Sequence, residues 1–236
     1  MTRAEEPASR GAGHGRTHEG ERDDAELLAS IDEELAQERR ARRRAPTRVT
    51  GAVLLVGSAV SWISGLVLLL DKLYLLAHPT ARFGCDINPF ISCGSVMMSW
   101  QAAAFGIPNM ALGLGGYAIL GVAGAMLLSR SQTPRWWRGA VMAGLVFAFG
   151  FVHFLAFSAI FEIQSLCLWC MLLWSMTAPM FFSYLAHLVE ERAAERGATS
   201  RSVLRHWVLL TLAWYVLVIV VILAAFWSQW MAMAGL

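Results

Sequence analysis

Five long apolar stretches dominate the hydrophobic pattern of this chain of 236 residues. They cover approximately residues 49–71, 108–128, 139–161, 166–188 and 207–230. Each is long enough to cross a hydrocarbon core of about 30 Å, which takes roughly 20 helical residues. Lipid-exposed backbone must satisfy its own hydrogen bonds and no alternating strand pattern competes, so each stretch predicts a transmembrane helix. The pattern therefore predicts an all-α, polytopic membrane protein.

The first 48 residues contain no such stretch and divide into two parts. Residues 1–22 have almost no apolar side chains to bury, so this part is predicted to be disordered. Residues 23–44 predict an amphipathic helix, which we interpret as a solvated segment rather than a partner-binding one. Its narrow apolar stripe consists of Leu27, Leu28, Ile31 and Leu35.

Composition and charge agree with a membrane location and indicate its orientation. Hydrophobic residues make up 57% of the chain and charged residues 15%, which is outside the range of ordinary soluble domains. Lys and Arg in short loops stay on the cytoplasmic side, and 17 of the 19 cations share one side of the predicted topology. The N-terminus is therefore predicted inside and the C-terminus outside. Arg outnumbers Lys 18 to 1 and Ala is abundant, which is typical of a GC-rich bacterial genome and predicts a bacterial inner membrane. The arginine runs follow this rule and do not indicate a nucleic-acid partner.

All four cysteines fall on the outer side of this topology. Cys85 and Cys93 lie between the first two apolar stretches, whereas Cys167 and Cys170, in "CLWC", open the fourth. The outer face of a bacterial inner membrane is oxidising, so the cysteines are expected to form disulfides. Four cysteines allow three pairings, and the spacing alone leaves all three open.

The spacing of the CLWC pair favours redox chemistry over a structural role. A C-x-x-C ring closes so few residues that it constrains the unfolded chain little. At a helix N-terminus, unpaired backbone N–H groups lower the thiol pKa and favour the thiolate. A structural pair of disulfides is the alternative. A zinc site is disfavoured because the first pair has C-x7-C spacing and the compartment is oxidising, so no metal is expected.

An outward-facing cysteine pair in its disulfide form can accept electrons from a soluble dithiol through a mixed disulfide, and a membrane quinone is the natural sink. Disulfides that act in this way are expected to be strained, exposed or both, and the Cys85–Cys93 loop is expected to be mobile. His153, inside the third stretch, is interpreted first as a core residue satisfied by a neighbouring helix.

Three motifs carry a family resemblance. "CDINPFISCGS" comes first, "FGIPN" precedes the second apolar stretch, and "CLWC" opens the fourth. In this order they closely resemble the bacterial vitamin K epoxide reductase family, over roughly residues 50–188. The resemblance implies a four-helix bundle core, so the fifth transmembrane helix is expected to pack beside it. The chain ends at Leu236 without the fused thioredoxin-like domain of many relatives, so we expect a separate partner.

The resemblance also implies a role for each cysteine and a quinone pocket. Cys85 and Cys93 match the outer and inner shuttle cysteines, Cys167 matches the cysteine that exchanges with Cys93, and Cys170 matches the thiolate that reacts with quinone. The quinone-binding positions implied are Ser99, Phe105, Asn109, Tyr117 and Trp174. Vertebrate members have a tyrosine where this chain has Trp174, whose indole donates one hydrogen bond but accepts none.

The sequence thus predicts three segments: a cytoplasmic segment at 1–48, a catalytic bundle at 49–188, and a cytoplasmic loop with the fifth helix at 189–236. The predicted activity is that of a membrane thiol–quinone oxidoreductase. It would reoxidise a secreted thioredoxin-like (DsbA-like) protein with menaquinone or ubiquinone as acceptor. The alternatives are a non-enzymatic membrane protein with structural disulfides and a quinone epoxide reductase.

Overall fold

The structure is a computed structural model, and it describes residues 18–80, 83–86, 91–131, 133–196 and 206–233. The chain divides into two units, Met1–Ala45 and Pro46–Leu236. In the first unit the helix begins at His18, upstream of the start predicted at residue 23. The prediction of disorder for residues 1–22 is therefore wrong for residues 18–22, which are helical, and its remainder, residues 1–17, lies outside the described residues.

The apolar stripe of the first unit is open to solvent. Leu27, Leu28 and Ile31 are 59%, 63% and 42% exposed. The side chain of Leu35 lies outside the described part of the chain. These three side chains therefore form no buried core of their own, and the solvated role of the segment stays a prediction.

All five predicted transmembrane helices are present. They run over Thr47–Ala77, Asn109–Leu128, Arg135–Glu162, Leu168–Ala193 and Trp207–Ala225. Their mean hydropathy lies between 1.3 and 2.9, which suits a hydrocarbon environment. The prediction of an all-α, polytopic membrane protein is confirmed.

Seven α-helices occur in the described residues. They are α1 (His18–Ala77), α2 (Cys93–Met98), α3 (Asn109–Leu128), α4 (Arg135–Phe157), α5 (Leu168–Glu195), α6 (Trp207–Ala225) and α7 (Trp227–Met233). A turn of 3-10 helix at Trp100–Ala103 follows α2, and a π-helical turn at Ser158–Glu162 extends α4. The fifth span ends earlier than predicted because the helix breaks at Phe226, whose side chain is only 1% exposed.

The sequence pattern did not predict α2. It is only 6 residues long, too short for hydrophobic periodicity to reveal. Its start is marked by Ser92, whose hydroxyl oxygen accepts a hydrogen bond from the Ser95 backbone N–H at 3.3 Å. This small helix carries Cys93 at its first position, so it fixes one of the four cysteines.

One apolar core joins four of the transmembrane helices. It contains Leu54 of α1, Tyr117 of α3, Leu145 of α4 and Met180 of α5, each at most 5% exposed. Close packing in this core depends on glycine at one position. A Cβ on Gly124 would lie 2.7 Å from the Leu55 backbone nitrogen, so only glycine fits there.

The fifth transmembrane helix, α6, is attached by packing and by polar contacts. Its Ile222 packs in a second core cluster with Val152 of α4 and Trp174 of α5. The Trp214 indole donates to His153 Nε2 at 2.8 Å, and His153 Nδ1 lies 2.6 Å from the Phe149 carbonyl oxygen. The interpretation of His153 as a core residue satisfied by a neighbouring helix is confirmed. The expectation that the fifth helix packs beside the other four is confirmed as well.

Candidate functional site

The four cysteines lie close together where the segment between α1 and α3 contacts the start of α5. Cys85 and Cys93 form a disulfide with a Cα–Cα distance of 5.8 Å, whereas Cys167 and Cys170 are thiols. The Cys167 thiol lies 3.3 Å from the Cys93 sulfur. Sulfurs 74 residues apart in the sequence are thus within reach of thiol–disulfide exchange.

Asp86 organises the loop that carries the disulfide. Its carboxylate accepts hydrogen bonds from the Phe83 N–H at 3.0 Å, the Ser92 hydroxyl at 2.9 Å and the Gly94 N–H at 3.2 Å. Partial burial opposes ionisation, but these hydrogen bonds prevail and lower the pKa of Asp86 below its ordinary value. Asp86 therefore holds the two ends of the C-x7-C segment together as a carboxylate. Asn88 and Pro89, in the middle of that segment, lie outside the described residues. The mobility predicted for this loop therefore stays a prediction.

A short backbone pairing fastens this loop to the segment before α5. The Ser92 N–H donates to the Leu166 carbonyl at 3.0 Å, and Ile91 and Leu166 form an isolated parallel bridge. The Ser95 hydroxyl donates to the Ser165 hydroxyl at 3.1 Å, which in turn donates to the Ser92 carbonyl at 3.3 Å. These contacts bring Cys93 and Cys167 together, and nothing in the sequence pattern predicted them.

Cys167 lies directly before the first residue of α5, where free backbone N–H groups point at its sulfur. A hydrogen bond from the Cys170 thiol has the largest effect on the pKa of Cys167 and lowers it. Burial acts in the opposite direction, while the N–H groups of Cys170 and Trp169 lower the pKa further. The balance is a pKa below the ordinary value, as predicted from the position of CLWC at a helix start. This favours the thiolate form of Cys167, the sulfur that lies next to Cys93.

The Cys85–Cys93 disulfide is buried, so the exposed alternative of the prediction 'strained, exposed or both' does not describe this structure. Cys85 is 7% exposed and Cys93 is fully buried, and Leu68 and Leu75 of α1 pack around them. The physical reason is that Asp86 and the contact with residues 165–167 draw the loop down onto the bundle.

A cavity of about 470 Å³ opens beside the thiol pair, among α3, α4 and α5. Apolar side chains form most of its surface, as in sites for apolar ligands. Six residues with predicted roles line it: Ser99, Asn109, Tyr117, Cys167, Cys170 and Trp174. Phe105 does not line the cavity, but its ring packs 5.3 Å from that of Phe151, which does.

The polar groups of the cavity have different partners. Asn109 donates to the Gln101 backbone carbonyl at 2.5 Å, while its buried side-chain oxygen has no partner among the described residues. The Tyr117 hydroxyl is 2.8 Å from the Thr177 hydroxyl, and Ser99 donates to the Val96 carbonyl at 2.8 Å. Asn109 thus lines an apolar cavity and has a buried acceptor oxygen that a ligand with a hydrogen-bond donor could satisfy.

Sequence reasoning missed a pair of polar residues behind Asn109. The Gln101 side chain is 5% exposed and donates to a Glu162 carboxylate oxygen at 2.5 Å. Gln101 lies in the 3-10 turn after α2 and Glu162 in the π-helical turn after α4, 61 residues away. A single glutamate at a helix end carries no motif, so no sequence signal could have joined the two.

Two cysteine pairs at one end of a transmembrane bundle, next to an apolar cavity, define a membrane thiol–disulfide redox protein. Residues 52–185 match the model of the Vitamin K epoxide reductase family, which is more than half of the chain. The chain belongs to this family, as the motifs predicted. No curated protein matches the chain. Membership makes it an oxidoreductase of the kind that exchanges electrons between thiols and quinones in a membrane.

Proposed function

We propose that this protein reoxidises a secreted thioredoxin-like protein and passes the electrons to a membrane quinone, thereby driving disulfide formation. One observation carries this proposal: the Cys167 thiol lies 3.3 Å from the sulfur of a disulfide-bonded cysteine, Cys93. That geometry connects an outer loop disulfide to a second thiol pair beside an apolar cavity. The quinone-binding residues and the identity of the partner belong to the proposal.

The first step is exchange between the partner and the outer disulfide. A partner thiolate attacks the Cys85 sulfur, so that a mixed disulfide forms and Cys93 leaves as a thiolate. The second partner cysteine then attacks the mixed disulfide. The partner leaves with a disulfide, and Cys85 and Cys93 keep the two electrons as a dithiol.

The second step moves the electrons inward. Cys93 attacks Cys167 of an oxidised CLWC pair and releases Cys170, after which Cys85 attacks Cys93 and releases Cys167. The products are a Cys85–Cys93 disulfide and two thiols at Cys167 and Cys170. This is also the cysteine pattern of the structure, which supports the proposed order of exchange.

The third step regenerates the CLWC disulfide. A bound quinone, menaquinone or ubiquinone, takes up two electrons and two protons as Cys167 and Cys170 form a disulfide. Cys170 is the sulfur assigned to face the acceptor, because Cys167 is engaged with Cys93. The unpartnered Asn109 oxygen supports a quinone site because it can accept a hydrogen bond from the hydroquinone product. Ser99, Phe105, Tyr117 and Trp174 are proposed to complete the pocket.

The proposed location is a bacterial inner membrane, with the N-terminus inside and the cysteines outside. The distribution of 17 of 19 cations supports this orientation. The proposed catalytic segment is 49–188. The N-terminal segment 1–48 and the fifth-helix segment 189–236 have no assigned part in the electron path.

Stopped-flow absorbance tests the proposal directly. A reduced thioredoxin-like protein and a soluble quinone analogue are mixed with purified enzyme, and quinone loss is followed. We expect quinone loss with wild type and none with a variant in which all four cysteines are alanine. Quinone loss that is unchanged in the four-alanine variant would rule out the relay. No quinone loss with wild type, together with disulfides that resist mild reductant, would favour structural disulfides instead.

A further inference from the structure

A basic cleft lies at the end of α4 and α5 remote from the cysteines. Its volume is about 310 Å³, near the lower limit for ligand pockets. The residues around it are Arg135, Arg138, Gly139, Leu188, Glu191, Arg192 and Arg196. The redox path uses none of them.

The cleft has a surplus of positive charge. Four guanidinium groups and one carboxylate line it, a formal excess of three positive charges. Arg138 forms an ion pair with Glu191, with both side chains partly buried. Among the described residues, no carboxylate pairs with Arg192 or Arg196. The positive charges of Arg192 and Arg196 repel each other, and an anion in the cleft would relieve that repulsion.

The depth of the cleft matches the headgroup layer of a bilayer. Arg135 and Arg138 are in the first turn of one transmembrane segment, and Arg192 is next to the last residue of another. Trp136, which is 70% exposed, and Trp137 lie beside them, and tryptophans are typical of the membrane interface. The anions present at this depth are lipid phosphates.

We propose that this cleft binds the headgroup of an anionic phospholipid. Arginine suits the role because its planar guanidinium group can donate two parallel hydrogen bonds to a phosphate. The N-terminus of α4, which opens at Arg135, adds the partial positive charge of unpaired backbone N–H groups. Basic pockets between transmembrane helices are known places for such headgroups. The site is independent of the redox function proposed above.

Native mass spectrometry of the full chain in neutral detergent tests this assignment. The protein is titrated with phosphatidylglycerol or phosphatidylcholine, and bound lipid is counted. We expect retention of phosphatidylglycerol over phosphatidylcholine. In Arg192→Gln/Arg196→Gln, affinity for phosphatidylglycerol should fall about thirtyfold. Arg48→Gln is the matched control, since Arg48 is an exposed arginine at the end of another transmembrane segment, and it should bind as wild type does.

Two results would overturn the assignment. One is equal phosphatidylglycerol binding by wild type and the double variant, which would mean that the lipid binds elsewhere. The other is displacement of phosphatidylglycerol by inorganic phosphate at the same concentration, which would indicate a site for soluble anions. Reduction of quinone by a small dithiol checks that the variant is folded. If the double variant does not fold, two measurements on wild type decide whether the cleft binds the lipid headgroup. They are the preference for phosphatidylglycerol over phosphatidylcholine and the competition by inorganic phosphate.

Discussion

The two cysteine pairs are held in different ways. The Cys85–Cys93 disulfide is in a loop fixed by side-chain hydrogen bonds to Asp86 and by a few contacts with residues 165–167. The Cys167–Cys170 pair is built into the start of a transmembrane helix and faces a cavity. A loop held by hydrogen bonds and by packing against α1 can move without breaking a transmembrane helix, whereas the start of α5 cannot move without disturbing the bundle. Under the proposed function, this difference suits a Cys85–Cys93 pair that exchanges with a partner and a Cys167–Cys170 pair that stays beside the quinone.

The largest expected effect separates the two pairs by function. Cys170→Ala should abolish quinone reduction by any thiol, because the inner pair can then no longer form a disulfide. Cys85→Ala should block oxidation of the protein partner but spare quinone reduction by a small dithiol that reaches the inner pair. Steady-state quinone consumption with each donor measures both. Partner oxidation that survives Cys85→Ala would mean that the order of the relay is wrong.

A smaller effect is expected where the outer loop is fastened. Asp86→Asn keeps one acceptor oxygen but loses the charge, which weakens the hydrogen bonds that hold the loop. The rate of partner oxidation should therefore change by about tenfold. Stopped-flow rates measure this effect, and Asp32→Asn, at an exposed position of the N-terminal helix, is the matched control. A rate unchanged by Asp86→Asn would show that the hydrogen bonds do not control the loop.

The same carboxylate predicts a pH dependence. Because the folded protein lowers the pKa of Asp86, its stabilising contribution is complete above the ordinary value of about 3.9 and is lost as pH falls through the lower folded value. The difference in unfolding midpoint between wild type and Asp86→Asn should therefore shrink below about pH 4. Thermal unfolding at several pH values measures it. A difference that grows as pH falls would contradict the assigned sign.

A smaller effect on quinone binding is expected from changes at Glu162, which contacts Asn109 only through Gln101. Glu162 holds Gln101, whose backbone carbonyl receives the Asn109 amide, so Glu162 is a positioning residue. Glu162→Ala should raise KM for quinone about threefold with little change in kcat, because it removes one hydrogen bond that positions Gln101. Glu162→Gln should restore KM because its amide oxygen still accepts. Equal losses in both variants would indicate a role for the charge instead.

The smallest effect is expected at the fifth transmembrane helix. Trp214→Phe removes the hydrogen bond to His153, and such bonds between membrane helices contribute about 0.6 kcal/mol. Unfolding in detergent measures the loss, with Trp227→Phe as the control because Trp227 is 63% exposed. Quinone reduction should be unchanged. A loss of several kcal/mol would mean that α6 is essential to the catalytic bundle.

The sequence could predict features that depend on the length of apolar stretches and on the spacing of residues along a helix. Five apolar stretches gave five helices, and the spacing of CLWC at a helix start predicted a lowered pKa for Cys167. It could not predict α2, because 6 residues carry no period, nor the pairing of Ile91 with Leu166, because backbone contacts leave no mark on side-chain type. Burial of Cys85 was also hidden, since it results from Asp86 hydrogen bonds formed only in the folded loop.

The contact between the two pairs is the centre of this account, and disulfide trapping tests it most directly. In Cys85→Ala/Cys170→Ala only Cys93 and Cys167 remain, with their sulfurs 3.3 Å apart in the parent structure. Under mild oxidation, mass spectrometry of the intact protein should show a nearly complete Cys93–Cys167 disulfide. Two thiols that persist under conditions in which wild type forms the Cys85–Cys93 disulfide would contradict the proposed relay.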